Sequence, residues 1–473
     1  MSEPSRAWRR QRTVQIVLIV LSVLLACCCL TSSVTNVGLI GWAVSIRQQV
    51  AQSQQRAAVL EAEVERLREL LIENEIPIPI APADEQLMDT IEQQVAAMRG
   101  LQPLHPLERT LMTQQQLRQR LLETFQADTS PEEMFNYALT LAALDLIDPH
   151  LDLYNLFIDL YTEQIAGFYD PETEQIYVIG GLGLMGQMER LTYAHEFNHA
   201  LQDQHYDLEA LGIRANADEE FDSEYLTAIR ALVEGDSSLL EQQFMNTYTP
   251  QEMFQLLQEY GEIDMSVLNA VPPVVRDMMY FPYEHGLTFV GSLYEEGGWS
   301  AVDAAYANPP RSTEQILHPD RYHSGDMPQI VSLTPLTDTL GAGWRQTDED
   351  ILGEYFIRYY LQQRIPQEDA QAAAEGWGGD RYVVHYREAD EALLLAAYIV
   401  WDTAGDAEEF VDAYVAYAEA RFGHVADVSE DARLCWAGRD FLCLTWGTNR
   451  TTFVLGPERT TVEAVLATLA TTP

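Results

Sequence analysis

The stretch Leu191-Thr192-Tyr193-Ala194-His195-Glu196-Phe197-Asn198-His199-Ala200-Leu201-Gln202 decides how the chain is read. On an α-helix, residues four apart share a face, so the imidazoles of His195 and His199 converge on one point. Neutral imidazole is a good zinc ligand, and two at this spacing fix half of a tetrahedral site. Glu196 falls beside that point rather than on it, where it can take a proton from a water that the metal activates. Leu191, Ala194, Ala200 and Leu201 set an apolar stripe next to the motif. That is the pattern of a helix packed inside a domain, not of two surface histidines.

Two histidines need a third ligand. His205 follows His195 by ten residues, the spacing at which a glycine turn returns a third histidine to the metal, but Gln202 stands where that glycine would be. Gln202-Asp203-Gln204 continues the helix and carries His205 away. Glu234, in Ala231-Leu232-Val233-Glu234-Gly235-Asp236, lies on a helical segment that starts near Ser223 and has Leu226, Ile229, Ala231 and Val233 around it. A second helix packed antiparallel to the first delivers this carboxylate, which makes Glu234 the preferred third ligand and His205 the alternative. Asp203 and Asp236 are candidates to accept the second N–H of the ligating imidazoles. Tyr283 and His285, in Tyr280-Phe281-Pro282-Tyr283-Glu284-His285-Gly286, are the catalytic candidates for donating to a developing oxyanion. Tyr193, Arg276 and Arg311 stand behind them.

With His195, Glu196, His199 and Glu234 assembled, the chain resembles the gluzincin class of zinc metallopeptidases over roughly residues 160 to 300. The resemblance implies a zincin-like peptidase core built on the active-site helix, Zn2+ as cofactor, and a peptide or protein substrate. It also implies a substrate laid as an added strand along a sheet edge above the metal, for which Gln175–Ile179 is the candidate. The class commonly carries an aspartate four residues after its ligand glutamate; Ser238 occupies that position here. The segment His199-Ala200-Leu201-Gln202-Asp203-Gln204 also looks like part of a set of uncharacterised bacterial membrane-anchored proteins. So does Pro309-Pro310-Arg311-Ser312-Thr313-Glu314-Gln315-Ile316-Leu317-His318-Pro319. Two other readings stay open: a non-catalytic envelope protein with a structural zinc, and a zinc amidase acting on a non-protein substrate.

Working outward toward the N-terminus, Arg6, Arg9, Arg10 and Arg12 precede an uncharged run from Val14 to Ile46. A run of that length reads as a membrane span, and the arginines place its N-terminal end in the cytoplasm. Leu24-Leu25-Ala26-Cys27 offers a rival reading as a lipidation site. Either way the bulk of the chain lies outside the cytoplasm, tethered to the cell membrane. Val50, Ala57, Leu60, Val64, Leu67 and Leu71 then follow coiled-coil spacing, a stalk through which copies of the chain can associate. Ile76-Pro77-Ile78-Pro79-Ile80-Ala81-Pro82 ends it as a stiff extended spacer.

From Asp84 to Glu163 the pattern is helical. The runs Gly167–Pro171 and Gln175–Ile179 flank a turn and form a hairpin. Helices resume to about Tyr306, and Asn308-Pro309-Pro310 breaks them. A loop-rich stretch follows to about Thr347, and then strands (Arg381–Arg387, Ala392–Trp401, Leu434–Trp436, Phe441–Trp446, Thr451–Leu455) alternate with helices. The expected fold class is therefore α+β and mainly helical. Residues 1–46 form the cytoplasmic tip and membrane helix, and 47–83 the stalk and spacer. Residues 84–325 form the helical zinc peptidase domain, and 326–473 a C-terminal α+β region.

Composition agrees with a folded protein that stays clear of nucleic acid. Of 473 residues 47% are hydrophobic, and 73 acidic side chains against 28 basic ones give a net charge of -45. A surface this acidic repels phosphate backbones. Cys435 and Cys443 flank a turn-like segment and are candidates for a disulfide in an oxidising compartment.

Overall fold

A computed structural model describes residues 82–470, together with positions 66 and 80, apart from 165–166, 180–184, 214–220 and 264. The apolar run 14–46 and all of the stalk but Arg66 lie outside the described residues. Residues 77–473 form one compact unit.

In chain order this unit begins with helix α1 (Pro82–Arg99), strand β1 (Glu108–Met112), and helices α2 (Gln114–Asp128), α3 (Pro131–Ala143) and α4 (Leu153–Gln164). Strands β2 (Gly167–Asp170) and β3 (Gln175–Ile179) follow, then the long helices α5 (Gln187–Tyr206) and α6 (Ser223–Met245). Next come α7 (Pro250–Gly261), α8 (Ser266–Ala270), α9 (Pro273–Gly297), α10 (Trp299–Ala307), α11 (Thr313–Leu317), α12 (Pro319–Ser324) and α13 (Thr337–Leu340). The last part comprises β4 (Trp344–Asp350), α14 (Gly353–Gln362), α15 (Gln367–Ala374), β5 (Trp377–Arg387), β6 (Ala392–Trp401), α16 (Ala404–Phe422), β7 (Val428–Glu430), β8 (Arg433–Ala437), β9 (Phe441–Trp446), β10 (Arg450–Gly456) and α17 (Arg459–Leu469).

This corrects the expected fold class. The chain is a mixed α+β protein, 57% helix and 17% strand, whose C-terminal strands form one seven-stranded antiparallel sheet ordered β4-β5-β6-β10-β9-β8-β7. Among the described residues no helix is long and apolar enough to cross a membrane. Three strands escaped the sequence reading: β1, β4 and the three-residue β7. In β1, Glu-Arg-Thr-Leu-Met is short and lacks alternation; it is held by parallel pairing with β3, 67 positions on in the Glu108–Gln175 pair. In β4, Trp344–Asp350 carries polar and charged side chains at six of seven positions, as an outer strand with half-wet faces can.

The inner strand β6 is almost wholly buried. One face of the large sheet packs Trp377, Trp401 and Trp436 against Phe410, Tyr414 and Tyr417 of α16. The other packs Leu394, Val454 and Cys443 against Val462, Val465 and Leu469 of α17. Cys435 and Cys443 lie directly opposite each other on β8 and β9 and are joined by a disulfide.

The small sheet has the order β1-β3-β2, with β3 in the middle. Gln175–Ile179 is therefore not a sheet edge, contrary to the sequence reading; β2 and β1 are the edges. Helix α5 packs on this sheet through Leu191, Tyr193, Ala194 and Phe197, which share a core with Ile176 and Val178. Its N-terminus is closed from two sides. Glu189 accepts the Gly186 N–H at 2.6 Å, and Glu259 of α7 accepts those of Gln187 and Met188 at 3.2 and 2.7 Å. These are the donors that a helix start leaves without partners.

Candidate metal centre

Helices α5 and α6 run antiparallel, since their side-chain contacts pair His195 with Glu241, His199 with Ser237, and Gln202 with Val233. Between them His195 Nε2, His199 Nε2 and Glu234 Oε2 form a nearly equilateral triangle. The two nitrogens are 3.1 Å apart, and each lies 3.3 Å from the carboxylate oxygen. Ligands about 2.0–2.1 Å from a tetrahedral zinc ion stand about 3.3 Å from one another. The donor set and its spacing thus fit Zn2+.

Electrostatics in this cluster are those of groups that need one another. Burial alone would lower the pKa of His195, but hydrogen bonds to Glu234 and Glu241 outweigh it and hold it well above the usual histidine range. Burial would likewise raise Glu234, and the two imidazoles hold it below the usual carboxylate range instead.

The second nitrogen of each imidazole has a partner. His195 Nδ1 lies 3.0 Å from Glu241 Oε2, and His199 Nδ1 lies 2.8 Å from Gln202 Oε1 and 3.2 Å from Ser237 Oγ. Such contacts fix the tautomer and aim the ring. Neither Asp203 nor Asp236 fills that role. Asp203 accepts from the Tyr169 hydroxyl at 2.7 Å and the Leu208 N–H at 3.0 Å. Asp236 is fully buried and accepts from Arg99, Asn198 and Tyr306 at 2.9, 3.2 and 2.8 Å. Arg99, also fully buried, reaches on to Asp303 at 2.7 Å and lies under the Trp299 ring. This network ties α6 to α1 and α10 two residues past Glu234, which sets the rotation that turns Glu234 toward α5.

Glu196 occupies the neighbouring position on α5. Its Oε2 accepts the backbone N–H of Tyr169, on edge strand β2, at 2.8 Å. Burial raises its pKa above the ordinary value, with the imidazoles of His199 and His195 pulling it back.

The remaining candidates separate clearly. Tyr283 on α9 stacks beside His195, ring centroids 6.2 Å apart, and is 43% exposed. His285 is not brought to the triangle; two residues further along the helix it points elsewhere and packs on Phe281 and Tyr355. His205 ends α5 with Nε2 2.8 Å from the carbonyl of Gln102. Tyr193 is buried, with its hydroxyl donating to Glu92 at 2.5 Å. Glu241 and Gln202 are the residues that sequence reasoning missed. Glu241 follows Glu234 by seven positions, two helical turns on the same face. Gln202 follows His199 by three.

Helix α9 reaches the centre through a close crossing with α6. A Cβ on Gly235 would run into the backbone of Gly286, and one on Gly286 into that of Ala231. Only glycine permits that approach. Beside the crossing, Glu241, Met245, Tyr260, Tyr280, Tyr283 and Leu287 line an open groove of about 690 Å3.

A family model described as a domain of unknown function (DUF8575) matches residues 339–466, the segment of the large sheet. It contains none of the metal-centre residues. No curated protein and no solved structure matches the chain.

Proposed function

We propose that the chain is a zinc-dependent metallopeptidase. The observation that carries this reading is the triangle of His195 Nε2, His199 Nε2 and Glu234 Oε2, with Glu196 beside it. A structural zinc takes four protein ligands, whereas a catalytic one keeps a position open. Among the described residues the ligand group contains three members, and His205 is turned to Gln102 instead of joining it. This favours catalysis over a structural role.

Held by His195, His199 and Glu234, zinc would polarise a scissile carbonyl and render a nearby water acidic at neutral pH. The chain's own residues do the rest. Glu196, oriented by the Tyr169 N–H, accepts the proton of the attacking water and hands it to the leaving amine. Tyr283, beside His195, is placed to donate to the developing oxyanion. The groove that runs from Tyr283 and Glu241 to Leu287 receives the substrate's side chains. We infer further that the unit works outside the cytoplasm, at the cell membrane. The Cys435–Cys443 disulfide suits an oxidising compartment.

The test is cleavage profiling of a peptide library with the purified, zinc-loaded chain and a Glu196→Gln control. New termini produced by the wild type and absent from the control are the expected result. Identical profiles from the two chains would refute the assignment.

A further inference from the structure

The motif Arg311-Ser312-Thr313-Glu314-Gln315-Ile316-Leu317-His318-Pro319 takes no part in the metal centre, yet Ser312, Thr313, Glu314 and Gln315 are all buried. It forms the short helix α11. Most of its polar atoms are answered. Thr313 donates its N–H and hydroxyl to Glu224 at 2.7 and 3.0 Å, Gln315 Oε1 accepts the Arg311 N–H at 2.7 Å, and Gln315 Nε2 donates to the carbonyl of Asp326. Glu314 is the exception. It is 4% exposed, and its buried Oε1 has no hydrogen-bond partner. An ionised carboxylate so placed demands a counter-charge.

The Glu314 carboxylate is aimed at two others. Carboxylate oxygens of Glu314, Asp326 and Asp402 all lie within 4.8 Å of one another. They arrive from α11, from the turn after α12 and from the end of β6. Arg321 Nη1 donates to Asp326 Oδ2 at 2.8 Å and to Asp402 Oδ2 at 2.6 Å, which answers one negative charge of three. Glu354, buried nearby, adds repulsion, and His318 is turned to Glu354 at 2.9 Å rather than to the cluster. The donors are hard oxygens with no imidazole among them. Calcium binds such oxygens at about 2.3–2.6 Å, so ligands on opposite sides of it stand up to about 5 Å apart.

We propose that Glu314, Asp326 and Asp402 bind a calcium ion that clamps the end of β6 to the α11 motif. Second carboxylate oxygens and water complete its oxygen shell. Burial, with Glu354 close by, pushes the Glu314 carboxyl up to about 9. The clamp also steadies the catalytic framework, because Thr313, next to Glu314, holds Glu224 in the first turn of α6, the helix that carries Glu234.

The test is equilibrium dialysis of the full zinc-loaded chain against radioactive calcium, with Glu314→Gln and Asp402→Asn beside the wild type. One calcium per wild-type chain is expected, with a rise in thermal midpoint. Either substitution should weaken binding about 100-fold or more and leave zinc content unchanged. No binding at about 1 mM calcium, or equal binding by all three chains, would overturn the proposal. Should Glu314→Gln fail to fold, Asp402→Asn decides. Calcium binding weakened in that chain supports the site, and binding equal to wild type refutes it.

Discussion

Tyr169 holds Glu196 by its backbone, its N–H lying 2.8 Å from Glu196 Oε2. The outer strand of the small sheet thereby positions the carboxylate that flanks the two histidines of the proposed metal centre. A backbone donor serves an amide oxygen as well as a carboxylate. Glu196→Gln should therefore keep its place, its zinc and its thermal midpoint, while losing proton transfer. The expected loss is about 10²–10⁴ in kcat, read from peptide hydrolysis with zinc measured by mass spectrometry on the same sample. Loss of zinc along with activity would mean that Glu196 is a ligand.

The third ligand is tested by a pair of substitutions. Glu234→Ala removes one corner of the triangle and should lower zinc affinity by orders of magnitude. His205→Ala removes a ring that faces Gln102 and should leave zinc and hydrolysis at wild-type levels. Zinc titration with a competing chelator distinguishes them, and the reverse ranking would reinstate His205.

Glu241 aims His195 from behind. Replacing a carboxylate that braces a ligating histidine costs about 10–100-fold in metal affinity. Glu241→Gln should show that loss with little change in thermal midpoint, because the side chain is 26% exposed. A drop in stability without a drop in zinc affinity would assign Glu241 a packing role only.

Arg99 and Asp236 are both fully shielded from solvent. Asp236→Ala leaves a buried guanidinium without its main partner, and breaking such a pair costs about 3–5 kcal/mol. Because Asp236 also sets the rotation of α6, zinc affinity should fall with stability in this variant. Urea unfolding paired with zinc titration measures both, and a change under about 1 kcal/mol would show that Asp303 alone satisfies Arg99.

Stability should decline as pH rises in chelator-treated protein. The folded chain keeps the Glu314 proton up to about 9, whereas the ordinary value is 4.5. A group whose pKa is raised on folding contributes fully below its unfolded value and loses that contribution as pH climbs through the folded one. Between about pH 5 and 9 the thermal midpoint of wild type should therefore fall more steeply than that of Glu314→Gln. Asp380 and His318 are also raised, but both chains share them, so they cancel in the comparison. Parallel curves for the two chains would count against the shift.

How much of this was legible in the sequence depended on whether a contact is local. His195 and His199 are one turn apart, so helix geometry alone brings them together. Glu234 was reachable because its apolar neighbours marked its helix as buried. Glu241 was not, since a glutamate near the end of an amphipathic helix is ordinarily solvated, and nothing local says that a histidine faces it. Gln202 was noticed only as the residue that breaks a glycine turn; its amide proves to brace His199. Tyr283 and His285 looked equivalent, but residues two apart on a helix cannot share a face. Strand β1 depends on a partner far along the chain, which no local pattern records.

The backbone contact between Gly235 and Gly286 has an evolutionary side. It locks α9 to α6 one residue from Glu234, so the wall of the groove and the Glu234 carboxylate form a single stiff strut. Side chains projecting from that strut into the groove, such as Met279, Tyr280 and Leu287, are then free to vary without disturbing the carboxylate. On the proposed reading, substitutions in the groove would tune substrate preference without moving the carboxylate beside the histidines.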